Sequence, residues 1–170
     1  MAYASMFGAL TAVGAYIVIP LPPVPITLQT LFVNLAGAFL GGYLGAMSQM
    51  VYVLLGVIGL PVFAGGKAGV GVLIGPTGGY LFGFIVGAFI IGKLTELRQK
   101  PGTLWIAVSM SAGIAVLYIL GILQLMIVAK LSFAKAVALG LLPSLPSDVA
   151  KIIVAALICR KARHWVFEKI

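Results

Sequence analysis

Apolar positions run nearly without interruption along this chain, so its organisation is read from the breaks rather than from any alternation. A membrane-crossing helix needs about 20 consecutive apolar residues. The first such segment runs from Ala2 to Ile19 and stops at Pro20–Pro25, where four prolines forbid regular helix. From Leu28 to Leu60 the chain is apolar throughout. At about 1.5 Å per residue, that stretch is too long for one crossing of a core of roughly 30 Å. Gly41-Gly42 is the expected break, giving two short helices that fold back on each other. The segment Pro61–Pro76 (PVFAGGKAGVGVLIGP) is glycine-rich and predicts a structured loop. Further spans are expected over Gly78–Gly92 and Thr103–Val128, then an interfacial piece within Lys130–Ser147, and a last span from Ser147 or Asp148 to near Cys159. The pattern predicts an all-α integral membrane protein. It would be a single domain over residues 1–170, six transmembrane helices in one compact bundle with structured outer loops.

Composition removes the alternative of an apolar soluble core. Of the 170 residues, 62% are hydrophobic and 8% charged, against about 25% charged in soluble domains. The net charge of +8 is spread over segment ends rather than gathered on one face, so it reads as membrane topology and not as nucleic-acid binding. With both termini on the cytoplasmic side, Lys93, Arg98, Lys100, Arg160, Lys161, Arg163 and Lys169 lie inside, and Lys67, Lys130, Lys135 and Lys151 lie outside. The positive-inside rule therefore predicts cytoplasmic N- and C-termini in a multi-pass protein of the cell membrane. The first segment lacks a basic leader and is expected to stay as a span. The lone Cys159 allows no intrachain disulfide and is assigned no role.

Small residues recur at four-residue spacing in three segments: Ala4, Gly8 and Ala12; Gly37, Gly41 and Gly45; and Gly79, Gly83 and Gly87. Such stripes let helix backbones approach closely in lipid. For the second and third stripes internal packing is the expectation. The first admits two readings, internal packing or a face for another protein.

Candidate chemistry is sparse. No phosphate-binding G-x-x-x-x-G-K-[ST] is present, since Ala68 follows Gly66-Lys67, and no H-E-x-x-H or cysteine pair offers a metal site. The only histidine, His164, falls in the tail, across the membrane from the only aspartate, Asp148, so a Ser-His-Asp arrangement is excluded. No enzyme activity, cofactor or metal is expected. A binding apparatus remains. Asp148 and Lys151 share a helix face among apolar neighbours, and an ionisable pair in such surroundings is either an internal ion pair or a ligand anchor. The other acids, Glu96 and Glu168, sit in charge clusters that read as wet edges. Lys67, in the glycine loop, is a second cation at the level of Asp148, or else a solvated loop lysine. Gln49 and Tyr52 lie at helical spacing, and Thr77 and Tyr80 follow the glycine loop; a few convergent polar groups in apolar walls are the usual form of a small-molecule site. Tyr43 and Tyr118 read as interface anchors.

Three stretches carry a specific resemblance: IPLPPVPITLQTLFVNLAG (Ile19–Gly37), GLPVFAGG (Gly59–Gly66) and GVGVLIGPTGGYLFGF (Gly69–Phe84), followed by Ser147, Asp148 and Lys151 as S-D-x-x-K. In order and over nearly the whole chain, these resemble the BioY family, biotin-binding S components of energy-coupling-factor transporters. The resemblance implies a six-helix membrane protein that captures biotin from outside. It also implies that a transmembrane coupling subunit and two ABC ATPase subunits drive transport. Asp148 and Lys151 would fall on the family's substrate-site acid and lysine. Ala4, Gly8 and Ala12 would match the small-residue pattern that docks the first helix on the coupling subunit. Some members have arginine before the Pro-Thr of the glycine-loop motif; here Gly75 stands there, so Lys67 would supply the cation. The residues alone leave two other functions open: a self-sufficient secondary transporter with Asp148 as proton carrier, and a structural subunit without a ligand.

Overall fold

A computed structural model of the chain describes residues 2–167, with side chains described through residue 162. The side chains of Arg163 and His164, and residues Glu168 and Lys169, therefore lie outside the described residues. The first helix, α1 (Ala2–Tyr16), ends earlier than the apolar pattern suggests. Val18–Ile19 (β1) pairs antiparallel with Ile26–Thr27 (β2), Val18 opposite Thr27 and Ile19 opposite Ile26. Proline drives the residue before it into extended backbone, and β-branched Ile17, Val18 and Ile19 suit a strand, so the helix gives way to a hairpin before Pro20.

Helix α2 (Gln29–Val57) is interrupted at Gly41, whose φ of 81° and ψ of 179° are not helical. The two halves double back. A Cβ added at Gly45 would stand 2.9 Å from the Gly37 Cα, whereas residues at that separation in a straight helix stand about 12 Å apart. The expected break at Gly41-Gly42 is thus observed. Its far side is closed by a residue not foreseen in that role: Gly42 N–H donates to Glu96 Oε1 at 2.9 Å. A carboxylate at the start of a helix satisfies an orphan amide and suits the dipole.

Within the glycine loop lies a short helix, α3 (Val70–Leu73), where no helix was predicted. Helices α4 (Gly78–Glu96) and α5 (Thr103–Ala129) follow, the latter ended by Lys130 in the left-handed region at φ 52°. The piece expected within Lys130–Ser147 is α6 (Phe133–Gly140), bent by 52° from α7 (Leu145–Phe167), which starts earlier and runs further than predicted. Among the described residues α2, α4 and α5 are each long and apolar enough to cross a membrane, or four spans if α6 and α7 form one bent crossing. The exterior is apolar as well: Leu104, Ile119, Leu123 and Ile127 of α5 all point outward.

The core gathers side chains from most of these helices, including Phe7, Val33, Tyr52, Phe84, Ile91, Met110, Leu117 and Ile152. The α4 glycine stripe is spent on α5: a Cβ at Gly83 would meet the Leu117 Cα at 2.8 Å, and one at Gly87 the Gly113 carbonyl at 3.0 Å. The stripe of α1 resolves the same way. Ala4 is 3% exposed, and a Cβ at Gly8 would stand 2.9 Å from the Ser48 carbonyl of α2. Ala4 and Gly8 thus pack within the chain, while Ala12 is half-buried. The small residues of α1 that do face outward are Ala2, Ser5 and Ala9.

Candidate substrate-binding site

Asp148 lies in the first turn of α7, 4% exposed, and its carboxylate is held from three sides. Oδ1 accepts from the Thr30 hydroxyl at 2.7 Å and from Lys151 Nζ at 2.9 Å, while Oδ2 accepts from the Tyr118 hydroxyl. Lys151, 8% exposed, also donates to the Thr27 carbonyl at 2.6 Å and to Thr30 Oγ1 at 3.0 Å. A buried ion pair is tolerable only where further hydrogen bonds satisfy both partners, and this one meets that condition. An ammonium has three donors and all three are engaged. A carboxylate has about four acceptor positions, so Asp148 Oδ2 keeps one to spare.

That cluster forms one side of a cavity between α2, α4, α5 and α7. Its apolar walls include Val24, Phe63, Val72, Leu81, Phe84 and Leu117. Gln29, from the start of α2, adds an amide that accepts from Thr27 Oγ1 at 2.8 Å and donates to the Tyr52 hydroxyl. The glycine loop supplies the remaining wall and is pinned on several sides. Phe63 N–H donates to the Lys67 carbonyl at 2.9 Å and Gly69 N–H to the Gly56 carbonyl at 2.7 Å. Gly65 N–H donates to the Ala15 carbonyl at 3.1 Å, and Tyr16 OH to the Pro61 carbonyl. From α5, Gln124 Nε2 donates to the carbonyls of Leu73 and Gly75 at 2.6 and 2.8 Å. Phe63 is buried edge-on against Tyr52, their ring centres 5.7 Å apart.

Five of the residues singled out from sequence line this cavity: Asp148, Lys151, Lys67, Thr77 and Tyr80. Tyr80 presents its ring, since its hydroxyl donates to the Gly140 carbonyl at 3.1 Å. Two others do not line it. Tyr52 is fully buried behind Gln29, its hydroxyl donating to the Val62 carbonyl at 3.1 Å. Gln49, also fully buried, bonds Thr11 Oγ1 at 3.2 Å and Ser48 Oγ at 3.0 Å, inside the contact of α1 with α2. Helical spacing put both on an inward face but did not say which neighbour that face meets. Tyr118 corrects the reading as an interface anchor: it is 7% exposed and bound to Asp148. A tyrosine deep within an apolar run needs a partner for its hydroxyl, and that requirement was the available signal. Thr27, Gln29 and Thr30 were missed as well, although three polar side chains so close together, between the proline segment and an apolar run, mark the same spot.

The fold and the site define a class: a helical membrane protein with a small-molecule cavity built around a buried ion pair. Comparison with known proteins narrows it. Residues 1–168 match the model of the BioY family, and the chain belongs to that family. It is 46% identical over 98% of its length to the biotin transporter BioY of Thermotoga maritima, covering 96% of that protein. It is 40% identical over 94% of its length to the biotin transporter BioY of Rhodobacter capsulatus, covering 90% of it. A crystal structure of the S-component for biotin from an ECF-type ABC transporter superposes with a TM-score of 0.88 at 26% identity, over 96% of this chain and 89% of that one.

Proposed function

We propose that this protein binds biotin from outside the cell and serves as the substrate-binding S component of an energy-coupling-factor transporter, with ATP hydrolysed by separate subunits. The observation that carries the reading is the buried Asp148 carboxylate, fixed by Lys151, Thr30 and Tyr118, with an acceptor position left over on the wall of an apolar cavity. Biotin has a ureido ring with two N–H donors, an apolar bicycle and an anionic tail. The ureido N–H meets the spare position on Asp148, and the bicycle lies against Phe63, Leu81 and Phe84. A charge-assisted hydrogen bond in a dry site is both strong and selective.

In this reading the chain crosses the membrane six times, the halves of α2 counting separately, with both termini cytoplasmic and the cavity facing out. The excess of basic residues at the opposite end supports that orientation. The coupling subunit docks on the outward face of α1, where Ala2, Ser5 and Ala9 leave room for a close helix approach.

Titration of the purified protein with biotin tests the binding step, and saturable binding is the expected result. Uptake into liposomes tests the mode of transport: it should require the coupling subunit, the ATPases and ATP. Uptake by the chain alone under a pH gradient would replace this reading with proton-coupled transport through Asp148.

A further inference from the structure

The cavity contains two lysines, and their surroundings differ in a way that assigns them different tasks. The charged residues among its lining are Asp148, Lys151 and Lys67, so the ion pair cancels and a single positive charge remains. That charge is not available at Lys151, whose three donors are engaged by Thr27, Thr30 and Asp148. Lys67 is exposed, and its ammonium makes no hydrogen bond or ion pair among the described residues. Its backbone is fixed all the same, because the Phe63–Lys67 bridge closes the loop and Phe63 is 1% exposed. A second unspent donor lines the same cavity: Thr77 precedes α4, yet its hydroxyl makes no capping bond.

We infer that Lys67, assisted by the Thr77 hydroxyl, is the carboxylate subsite, and that Lys151 positions Asp148 without touching the ligand's anionic group. The inference rests on the reading of biotin as ligand and deepens it. The ligand would then lie with its ureido ring at the buried Asp148 and its tail toward the exposed loop. A monoanion matches the cavity's single uncompensated charge.

The test is a comparison of biotin with its uncharged primary amide, titrated into the full-length protein in detergent or nanodiscs. Wild type should bind biotin at least tenfold more tightly than the amide. Lys67→Met should bring that ratio to within about threefold of unity, mainly by weakening biotin, while Lys67→Arg should keep it. Thr77→Val should lower it by a smaller factor. An unchanged ratio in Lys67→Met, or a ratio abolished by Lys151→Met while Lys67→Met retains it, would overturn the assignment. If wild type bound neither compound, the biotin reading itself would fall, and the assignment with it. Lys67 sits on an exposed loop, so Lys67→Met is not expected to disturb folding; an unchanged thermal unfolding midpoint would verify that.

Discussion

Two acid–lysine pairs in this protein share the same three-residue helical spacing and nearly the same length, 2.9 Å for Asp148–Lys151 and 3.1 Å for Lys93–Glu96. Their surroundings divide them. The Asp148 and Lys151 side chains are 5% and 10% exposed, and each is held by further protein groups on a cavity wall. Those of Glu96 and Lys93 are 43% and 40% exposed; Glu96 also closes the Gly41 turn, and Lys93 lies 4.1 Å above the Tyr43 ring. Exposed pairs contribute little, whereas a buried pair is costly to break because the survivor is left as an uncompensated charge. Identical chemistry at identical spacing thus lines a buried cavity at one end of the molecule and fastens a turn at the other.

Substitutions at the two pairs should therefore differ sharply. Asp148→Ala removes both the ligand's acceptor and the partner of Lys151. Biotin affinity should fall tenfold or more, and thermal or chemical unfolding should show a loss of about 3–5 kcal/mol. Unchanged affinity in a folded Asp148→Ala protein would make the buried pair a structural fastening like the exposed one. Next in size is α1, whose two faces form a comparison of their own. Gly8→Leu drives a side chain into the Ser48 carbonyl and should destabilise by about 1–3 kcal/mol. Ala9→Leu, on the outward face, should leave stability within about 0.5 kcal/mol and weaken co-purification with the coupling subunit. The reverse pattern would return docking to the Ala4–Gly8–Ala12 stripe.

Glu96→Ala opens the amide of Gly42 and should lower stability by about 1 kcal/mol, as loss of a helix cap does, with biotin affinity unaltered. Lys93→Ala should register below about 1 kcal/mol in the same unfolding assay. An effect of either substitution on biotin binding would show that the two ends of the molecule are coupled.

Much of this was legible in the sequence because lipid imposes simple rules. Proline ended α1, glycine broke α2, and a lone aspartate among apolar residues had to face the interior. Asp148 with Lys151 announced itself by spacing and surroundings. The partners that complete the site did not, because they come from other elements: Thr30 is fixed by how α2 meets α7, and Tyr118 by the face α5 turns inward. Such contacts depend on helix rotation, and an almost uniformly apolar helix has no polar face from which to read it. The same ambiguity placed Gln49 and Tyr52 in the cavity and left the α1 stripe with two readings. Lys67 and Thr77 were recognisable because loop chemistry is local.

The proposed function turns on Asp148 accepting a ureido N–H of biotin. Its most direct test is calorimetric titration of wild type and Asp148→Asn with biotin and with biotin methylated on the ureido nitrogen. Methylation should weaken binding to wild type by at least tenfold and to Asp148→Asn by less than about threefold, since the charge-assisted acceptor is already gone. An equal loss in both proteins would contradict it.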